Sequence, residues 1–227
     1  MASDTPPPRI FLLSPAHCGG VRAGLVFGAR ARFELARRVR AAPGAPLGDV
    51  FSFLSGLYFR GKLAYAEAFA RPPAGVPGVL VITPAEGLRP ADEPVDLRRL
   101  RRYARVDIDA DDRRYRVPLL RDARRLARAA GAECEIVLLG SVATGKYLEP
   151  LLEVLGERLR FPADFVGRGD MSRGGLLLRC VRAGSELEYV GVAGAPRRGP
   201  RPARLAPRIT PRAGARSRGG SDARRGG

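Results

Sequence analysis

Residues 167–175 carry the most concentrated candidate chemistry in the chain. They place Arg168 and Arg173 five positions apart in a glycine-rich stretch that leads into an apolar helical pattern. Forked guanidinium donors beside free backbone amides favour the binding of an anion such as a phosphate. Asp170, between the two arginines, is open to three interpretations: the acid or nucleophile of an enzyme, a helix cap in competition with Ser172, or the partner of one arginine in a structural ion pair.

Residues 140–147 read Gly-Ser-Val-Ala-Thr-Gly-Lys-Tyr and fit a nucleotide-binding loop except at the last position. Tyr147 stands where a Ser or Thr hydroxyl would hold magnesium, so the loop does not favour nucleotide hydrolysis. Backbone amides at the start of the following helix, together with Lys146, could still hold a nucleic-acid phosphate. The alternative is a plain helix start.

Residues 55–65 offer a second kind of nucleic-acid surface. Tyr58 and Tyr65 could stack on bases while Arg60 and Lys62 meet phosphates. The competing interpretation is a helix with an apolar core side and a solvated basic side. Arginine fills almost every other basic position of the chain, so a lysine here indicates a place where a compact ammonium is preferred.

Two further patterns carry less chemistry. His17 and Cys18 could pair a thiol nucleophile with a base, but adjacent side chains rarely face each other and the chain has one histidine. Four aspartates within residues 107–112 resemble the start of a calcium loop, yet Asp112 occupies the position that needs glycine. We interpret them as a solvated turn and helix start, and we expect no metal and no cofactor.

Three apolar runs, residues 10–14, 79–83 and 136–140, predict buried parallel strands that must position these groups. Helices are expected at residues 30–39, 58–69, 119–130, 148–155 and 172–182. A last strand is expected at residues 187–192. The alternation predicts an α/β fold: one compact domain with a mostly parallel or mixed sheet flanked by helices. Each run ends in a hydroxyl or glycine residue, so the carboxyl edge of the sheet is the expected ligand site, unless these are ordinary strand-to-loop junctions.

The net charge of +17 favours a polyanionic partner, although a bias toward arginine, alanine, glycine and proline also accounts for part of it. Residues 196–227 hold ten arginines and one aspartate, so about +9 lies there and about +8 in residues 1–195. That stretch lacks apolar periodicity and is predicted to be a disordered basic tail after a domain of residues 1–195. No apolar run reaches the roughly 20 residues of a membrane span, and three scattered cysteines favour free thiols, so we expect a cytoplasmic protein without a membrane partner.

Taken in chain order, five segments resemble the YaaA family of peroxide-stress proteins. Ser14-Pro15-Ala16 resembles the family's I-S-P-A-K, and Gly56-Leu57-Tyr58 its G-D-V-Y-x-G-L. Gly87-Leu88-Arg89-Pro90 with Asp92 resembles its G-x-L-R-P-x-D, and Ser141 to Tyr147 its A-S-x-E-Y. Arg168-Gly169-Asp170-Met171-Ser172-Arg173 resembles its R-G-x-M-S-R. The resemblance implies a compact α/β fold with a basic cleft that binds DNA, acting in protection against hydrogen peroxide. The chain departs from the family at His17, where the family has lysine, in the acidic residue of the second motif, and in a shortened helix-hairpin-helix insertion.

The resemblance and the charge together predict a DNA-binding protein with a basic cleft. The residues expected to contact phosphates or line this cleft are Arg168, Arg173, Lys146, Arg60, Lys62, Ser14 and Tyr147. The rival is an enzyme on nucleobases or nucleotides, with Asp170 as acid or nucleophile and with Ser14 and Thr83 orienting the base. A third possibility, a small-metabolite binder, requires a narrow, dry site at the loop edge.

Overall fold

A computed structural model describes residues 6–143, 145–196, 199–203 and 205. Its strands are β1 (Arg9–Leu13), β2 (Ala45–Pro46), β3 (Val79–Thr83), β4 (Gly87–Pro90), β5 (Pro94–Val95), β6 (Glu135–Leu139), β7 (Leu159–Pro162) and β8 (Tyr189–Gly191). Its α-helices are α1 (Val21–Phe27), α2 (Glu34–Arg38), α3 (Leu47–Ser55), α4 (Leu57–Phe69), α5 (Leu97–Tyr103), α6 (Arg113–Ala129), α7 (Gly145–Leu155) and α8 (Asp170–Ala183).

Six strands form one mixed sheet in the order β4-β3-β1-β6-β7-β8. The four central strands are parallel, and the two edge strands, β4 and β8, pair antiparallel to their neighbours. All five residues of β1 are buried, which accounts for a run without polar alternation at the centre of the sheet. The short strands β2 and β5 make a separate antiparallel pair.

The helices cover both faces of the sheet. The connection from β1 to β3 runs in one direction across the sheet, and those from β3 to β6 and from β6 to β7 run in the other. Because such crossovers are right-handed, α4 belongs on one face and α6 and α7 on the opposite face. The packing agrees, since α4 contacts β1 and α8 while α6 and α7 contact each other.

Two glycines set the contact between α4 and α8. A Cβ on Gly61 would lie 2.7 Å from the carbonyl oxygen of Gly174, and a Cβ on Gly174 would lie 2.8 Å from that of Leu57. Only glycine at both positions allows backbones to approach this closely. The close approach places the neighbouring residues, Lys62 on α4 and Arg173 on α8, inside the molecule.

The predicted α/β class is confirmed, and the three predicted central strands lie within one residue of their expected bounds. The helix expected at residues 30–39 is shorter, at Glu34–Arg38, and α1, which the sequence did not indicate, precedes it. Helices α3 and α5 and strands β2, β4, β5 and β7 were also missed. Strands β4 and β7, at four residues each, are too short to show a clear period.

Most of the predicted tail, residues 206–227, lies outside the described residues, so its disorder stays a prediction. Within the part of residues 196–205 that is described, Pro200 lies against Gly167 and Leu205 against Gly175. No helix in the described part of the chain is both long and apolar enough to cross a bilayer.

Candidate functional site

The carboxyl end of β1 holds a buried pair, Ser14 and Lys62. Lys62 projects from α4 and is 1% exposed, and Ser14 follows the last residue of the central strand. Lys62 Nζ donates to the backbone oxygen of Ser14 at 2.6 Å and to its hydroxyl oxygen at 2.8 Å. The two residues come together because the strand ends where α4 crosses it.

The surroundings of Lys62 disfavour a charged ammonium. Its Nζ lies 4.6 Å from the ring centres of Tyr58 and Phe59, whose faces attract a cation. Against this, the side chain is almost completely removed from water, and no carboxylate of the described residues forms an ion pair with it. Burial lowers the pKa of Lys62 to about 7, with the Arg173 guanidinium acting in the same direction and the Asp170 carboxylate against it. An amine that is partly neutral near pH 7 can accept a proton as well as donate one.

The side chain of Arg173 is buried and hydrogen-bonded within the fold, so it is not accessible to a phosphate. Its Nε and Nη2 donate to the backbone oxygen of Phe165 at 3.2 and 2.9 Å, and its guanidinium lies 5.4 Å from the centre of that ring. It also pairs with Asp170 at 3.4 Å, which confirms the structural ion pair among the interpretations of that aspartate. The prediction that Arg173 holds a phosphate does not fit this burial.

Arg168 is largely engaged as well. Its Nε donates to the backbone oxygen of Asp164 at 2.9 Å and its Nη1 to the hydroxyl of Ser172 at 3.4 Å. The side chain of Asp170 is 67% exposed, which is a poor setting for a catalytic acid. The capping prediction for Asp170 and Ser172 is wrong, since Gly169 is the N-cap of α8 and no side chain caps the helix.

The loop after β6 closes on itself. The backbone N–H of Ser141 donates to the hydroxyl of Tyr147 at 2.7 Å, so that amide is not free for a phosphate. The carboxylate of Glu149 lies against Gly145 at the start of α7, where it would repel an anion. Lys146 is exposed, as a phosphate contact requires, and Tyr147 is buried. These features favour a plain helix start over a phosphate-binding loop.

The predicted stacking surface on α4 is wrong. Tyr58 and Tyr65 are buried in the core, where the hydroxyls of Tyr65 and Tyr189 share a 2.5 Å hydrogen bond. Arg60 is exposed, but Lys62 is not on a solvated side of the helix. The reason is that α4 is covered by the sheet on one side and by α8 on another, so it has no simple polar face.

Three remaining candidates have structural roles. The hydroxyl of Thr83 donates to the backbone oxygen of Gly87 at 2.9 Å and so closes the β3–β4 turn, which leaves it unable to orient a base. Cys18 is buried and its pKa is raised to about 12 by burial, which opposes a thiolate nucleophile. Asp112 caps α6 by accepting from the N–H of Arg114 at 2.8 Å, as expected, and no metal-binding cluster occurs among the described residues.

A groove along α5 is a large basic cavity. It has a volume of about 810 Å³, and its lining residues are Glu86, Leu97, Arg98, Arg99, Arg101, Arg102 and Arg105. Glu86 lies at its base, accepts from Tyr103 at 2.6 Å and pairs with Arg99 and Arg102. We name this the α5 arginine groove.

The sequence contains a pattern that indicates this groove, although the residues predicted to bind DNA did not include it. The arginines recur as Arg98-Arg99, Arg101-Arg102 and Arg105, which places one row of them on one face of a helix. Leu97, Leu100 and Tyr103 alternate with that row and mark the apolar face, on which Leu100 and Tyr103 are buried.

No family model, curated protein or solved structure matches the chain. The resemblance to the YaaA family therefore stays a prediction that rests on the five segments.

Proposed function

We propose that the protein binds DNA and that the α5 arginine groove makes the main contacts with the phosphate backbone. The observation that carries the proposal is a row of three exposed arginines, Arg98, Arg101 and Arg105. Their side chains make no hydrogen bond or ion pair within the described part of the chain. Guanidinium groups at this density and without carboxylate partners favour a polyanion.

The other two arginines of the groove are held in place. Arg99 is fixed by Glu86 and by Glu93, which its Nη2 meets at 2.6 Å, and Arg102 is fixed by Glu86. The single lining glutamate therefore orders part of the groove without cancelling its charge, since five arginines line it. Rigid arginines lose less conformational entropy on meeting a phosphate than free ones do.

The proposal moves the DNA contact away from the residues predicted from sequence. Arg173 and Lys62 are buried, and Arg168 is bonded to its own turn, so they support the fold under the surface. Lys146 and Arg60 are exposed and stay candidate accessory contacts. The role in protection against peroxide, which the resemblance implies, belongs to the same proposal.

The test compares two triple variants of the full chain with equal charge loss. The first is Arg98→Ala/Arg101→Ala/Arg105→Ala. The second is Arg116→Ala/Arg121→Ala/Arg124→Ala, on α6, where each arginine already pairs with Glu153 or Asp122. Binding to duplex DNA is measured by fluorescence anisotropy across a series of salt concentrations.

The groove variant is expected to bind duplex DNA at least about 10-fold more weakly than the unchanged chain. The magnitude of its slope of log K against log salt is expected to be smaller by about 2 to 3, because each lost phosphate contact reduces that slope by about 0.9. The α6 variant is expected to bind nearly as the unchanged chain does. Both variants retain residues 196–227, so the background from that stretch is the same. Equal losses in the two variants would show that total charge, and not the groove, determines binding.

The Ser14–Lys62 pair favours a second candidate function, an enzyme at the carboxyl edge of the sheet. A serine hydroxyl 2.8 Å from a buried amine has the geometry of a nucleophile and its base. Neutral Lys62 would accept the hydroxyl proton as Ser14 Oγ forms a bond with an acyl carbon. The ammonium would then return that proton to the leaving group as the bond between the acyl carbon and that group breaks. This pair replaces Asp170 in the role that the sequence suggested for it.

A fluorophosphonate reagent tests this candidate, because attack by Ser14 Oγ on phosphorus expels fluoride and leaves a stable adduct. Ser14 is 6% exposed and so is not completely enclosed. The expected result is an adduct that peptide mass spectrometry places on Ser14, with a rate that rises around pH 7 and is lost in Lys62→Met. Absence of an adduct on Ser14, or an equal rate in Lys62→Met, would leave the pair with a structural role only.

A further inference from the structure

A second groove lies where α1, α3 and α4 meet. Its volume is about 480 Å³, within the range of small-ligand sites, and it is lined by Arg22, Leu25, Ser52, Phe53, Gly56 and Arg60. Gly56 joins α3 to α4 with a φ of 68°, a left-handed turn that suits glycine and brings the two helices to one side of the cavity. We name it the Phe53 groove.

Phe53, which lines this groove, is one ring of an aromatic pair. Phe53 stacks on Phe33 with ring centres 5.2 Å apart and an angle of 21° between the ring planes. Phe33 is 38% exposed, and Leu25 beside the groove is 55% exposed. Phe53 itself is half-buried and stacking on Phe33 restrains its ring, so the part of the ring that faces the groove is a surface for another flat ring.

The charges around this wall are positive. Arg22 donates from Nη1 to the backbone oxygen of Phe53 at 3.2 Å, which holds its guanidinium at the groove. Arg60 is exposed, and its side chain makes no bond with the described residues. No carboxylate lines the cavity, and Asp49, on the same helix as Phe53, already pairs with Arg38 at 3.3 Å.

From this combination we propose that the Phe53 groove binds an unpaired nucleotide of a single-stranded nucleic acid, with the base stacked on Phe53 and the adjoining phosphate held by Arg22 and Arg60. A flat apolar wall with two guanidinium groups matches a ligand that is aromatic at one end and anionic at the other. A paired base cannot enter, because its faces are covered by its neighbours in the duplex. The inference rests on the proposed function and specifies the form of nucleic acid that this second site recognises.

The experiment uses the full chain with one substitution, Phe53→Trp. The natural sequence has no tryptophan, so excitation near the red edge of the tyrosine absorption reports on this position alone. Three probes are titrated in parallel: a thymidine 12-mer, a blunt DNA duplex of equal length, and thymidine monophosphate. The expected result is that the 12-mer quenches the tryptophan at concentrations at which neither the duplex nor the monophosphate does.

Two further variants measure the contribution of each part. Phe53→Leu keeps an apolar side chain but removes the ring, and it is expected to weaken binding of the 12-mer by about 5- to 150-fold, the range for one stacked base. Arg60→Ala is expected to lower the salt slope for the 12-mer by about 0.7, the value for one phosphate of a single strand. Arg124→Ala, an exposed arginine paired with Glu153, is the matched control and is expected to change neither quantity.

The failures of the two proposals are distinguishable. Equal quenching by the duplex, or equal quenching by free thymidine monophosphate, would overturn this inference, as would unchanged 12-mer affinity in Phe53→Leu. None of these results bears on duplex binding through the α5 arginine groove. If instead Arg98→Ala/Arg101→Ala/Arg105→Ala leaves duplex affinity unchanged, the proposed function fails, whatever the Phe53→Trp signal does.

Discussion

The lowered pKa of Lys62 predicts a specific dependence of stability on pH. In the folded protein the pKa is about 7, while an exposed lysine in the unfolded chain has its ordinary value of 10.5. Between these two values the unfolded state holds one proton more than the folded state, so raising the pH stabilises the fold. Below about pH 7 both states are protonated and the full cost of burying the ammonium is present.

The size of this effect follows from the two pKa values. Each pH unit within the window changes the free energy of unfolding by about 1.4 kcal/mol, and the rounding of the titration near pH 7 reduces the total between pH 7 and pH 9 to about 2 kcal/mol. Because Lys62 is fully buried, solvent does not screen this contribution. Other groups that titrate in the same range, such as Cys18, contribute equally to any variant that keeps them.

The assay is urea unfolding at pH 7, 8 and 9 for three chains: the unchanged protein, Lys62→Met and Lys146→Met. Methionine has a similar length to lysine and no titrating group, so the stability of Lys62→Met relative to the unchanged protein should fall by about 2 kcal/mol from pH 7 to pH 9. Lys146, the other lysine of the chain, is exposed, and its variant should follow the unchanged protein. A constant difference between the unchanged protein and Lys62→Met would refute the argument that a buried amine loses its proton there.

Two other predictions concern packing and thiol reactivity. Gly61→Ala should lower the free energy of unfolding, measured in urea, by about 1 to 3 kcal/mol, because the new Cβ would lie 2.7 Å from the backbone of α8. Gly169→Ala is the control, since nothing lies within 4 Å of its Cβ. Equal losses in the two variants would contradict the helix contact. Under iodoacetamide at pH 8, mass spectrometry should find Cys180 alkylated well before Cys18, whose burial raises its pKa to about 12, and the reverse order would contradict the buried setting of Cys18.

The central strands could be predicted from sequence because their signal is local. A run such as Val79–Thr83 is apolar on both faces, and a five-residue segment of this kind fits little except a covered parallel strand. The expectation that these strands end at one edge of the sheet is confirmed, since β1 pairs in parallel with both β3 and β6. What could not be predicted is which hydroxyls at that edge are free, because the hydroxyl of Thr83 is used by a turn that closes only in the folded chain.

The burial of Lys62 could not be predicted because it depends on a contact between distant segments. Read alone, α4 has apolar and basic residues in alternation and is consistent with a solvated basic side. Gly61, the residue before Lys62, packs against Gly174, more than a hundred residues later in the chain. Only this contact shows that the helix is covered at Lys62. One-dimensional periodicity describes a helix with one buried face and cannot describe a helix that is covered on two sides.

The same reasoning explains why the arginines of the glycine-rich residues 167–175 are not exposed. A glycine-rich segment brings backbones close together, and an arginine in such a segment is then surrounded by carbonyl oxygens that accept its donors, as Phe165 does for Arg173. An arginine on a regular helix such as α5 has its neighbouring carbonyls already bonded within the helix, so its guanidinium must find a carboxylate, water or a ligand. Glu86 and Glu93 supply carboxylates for Arg99 and Arg102 but not for Arg98, Arg101 and Arg105. Arginines on an ordinary helix can therefore contact an external anion, whereas the guanidinium of Arg173 is already hydrogen-bonded within the fold.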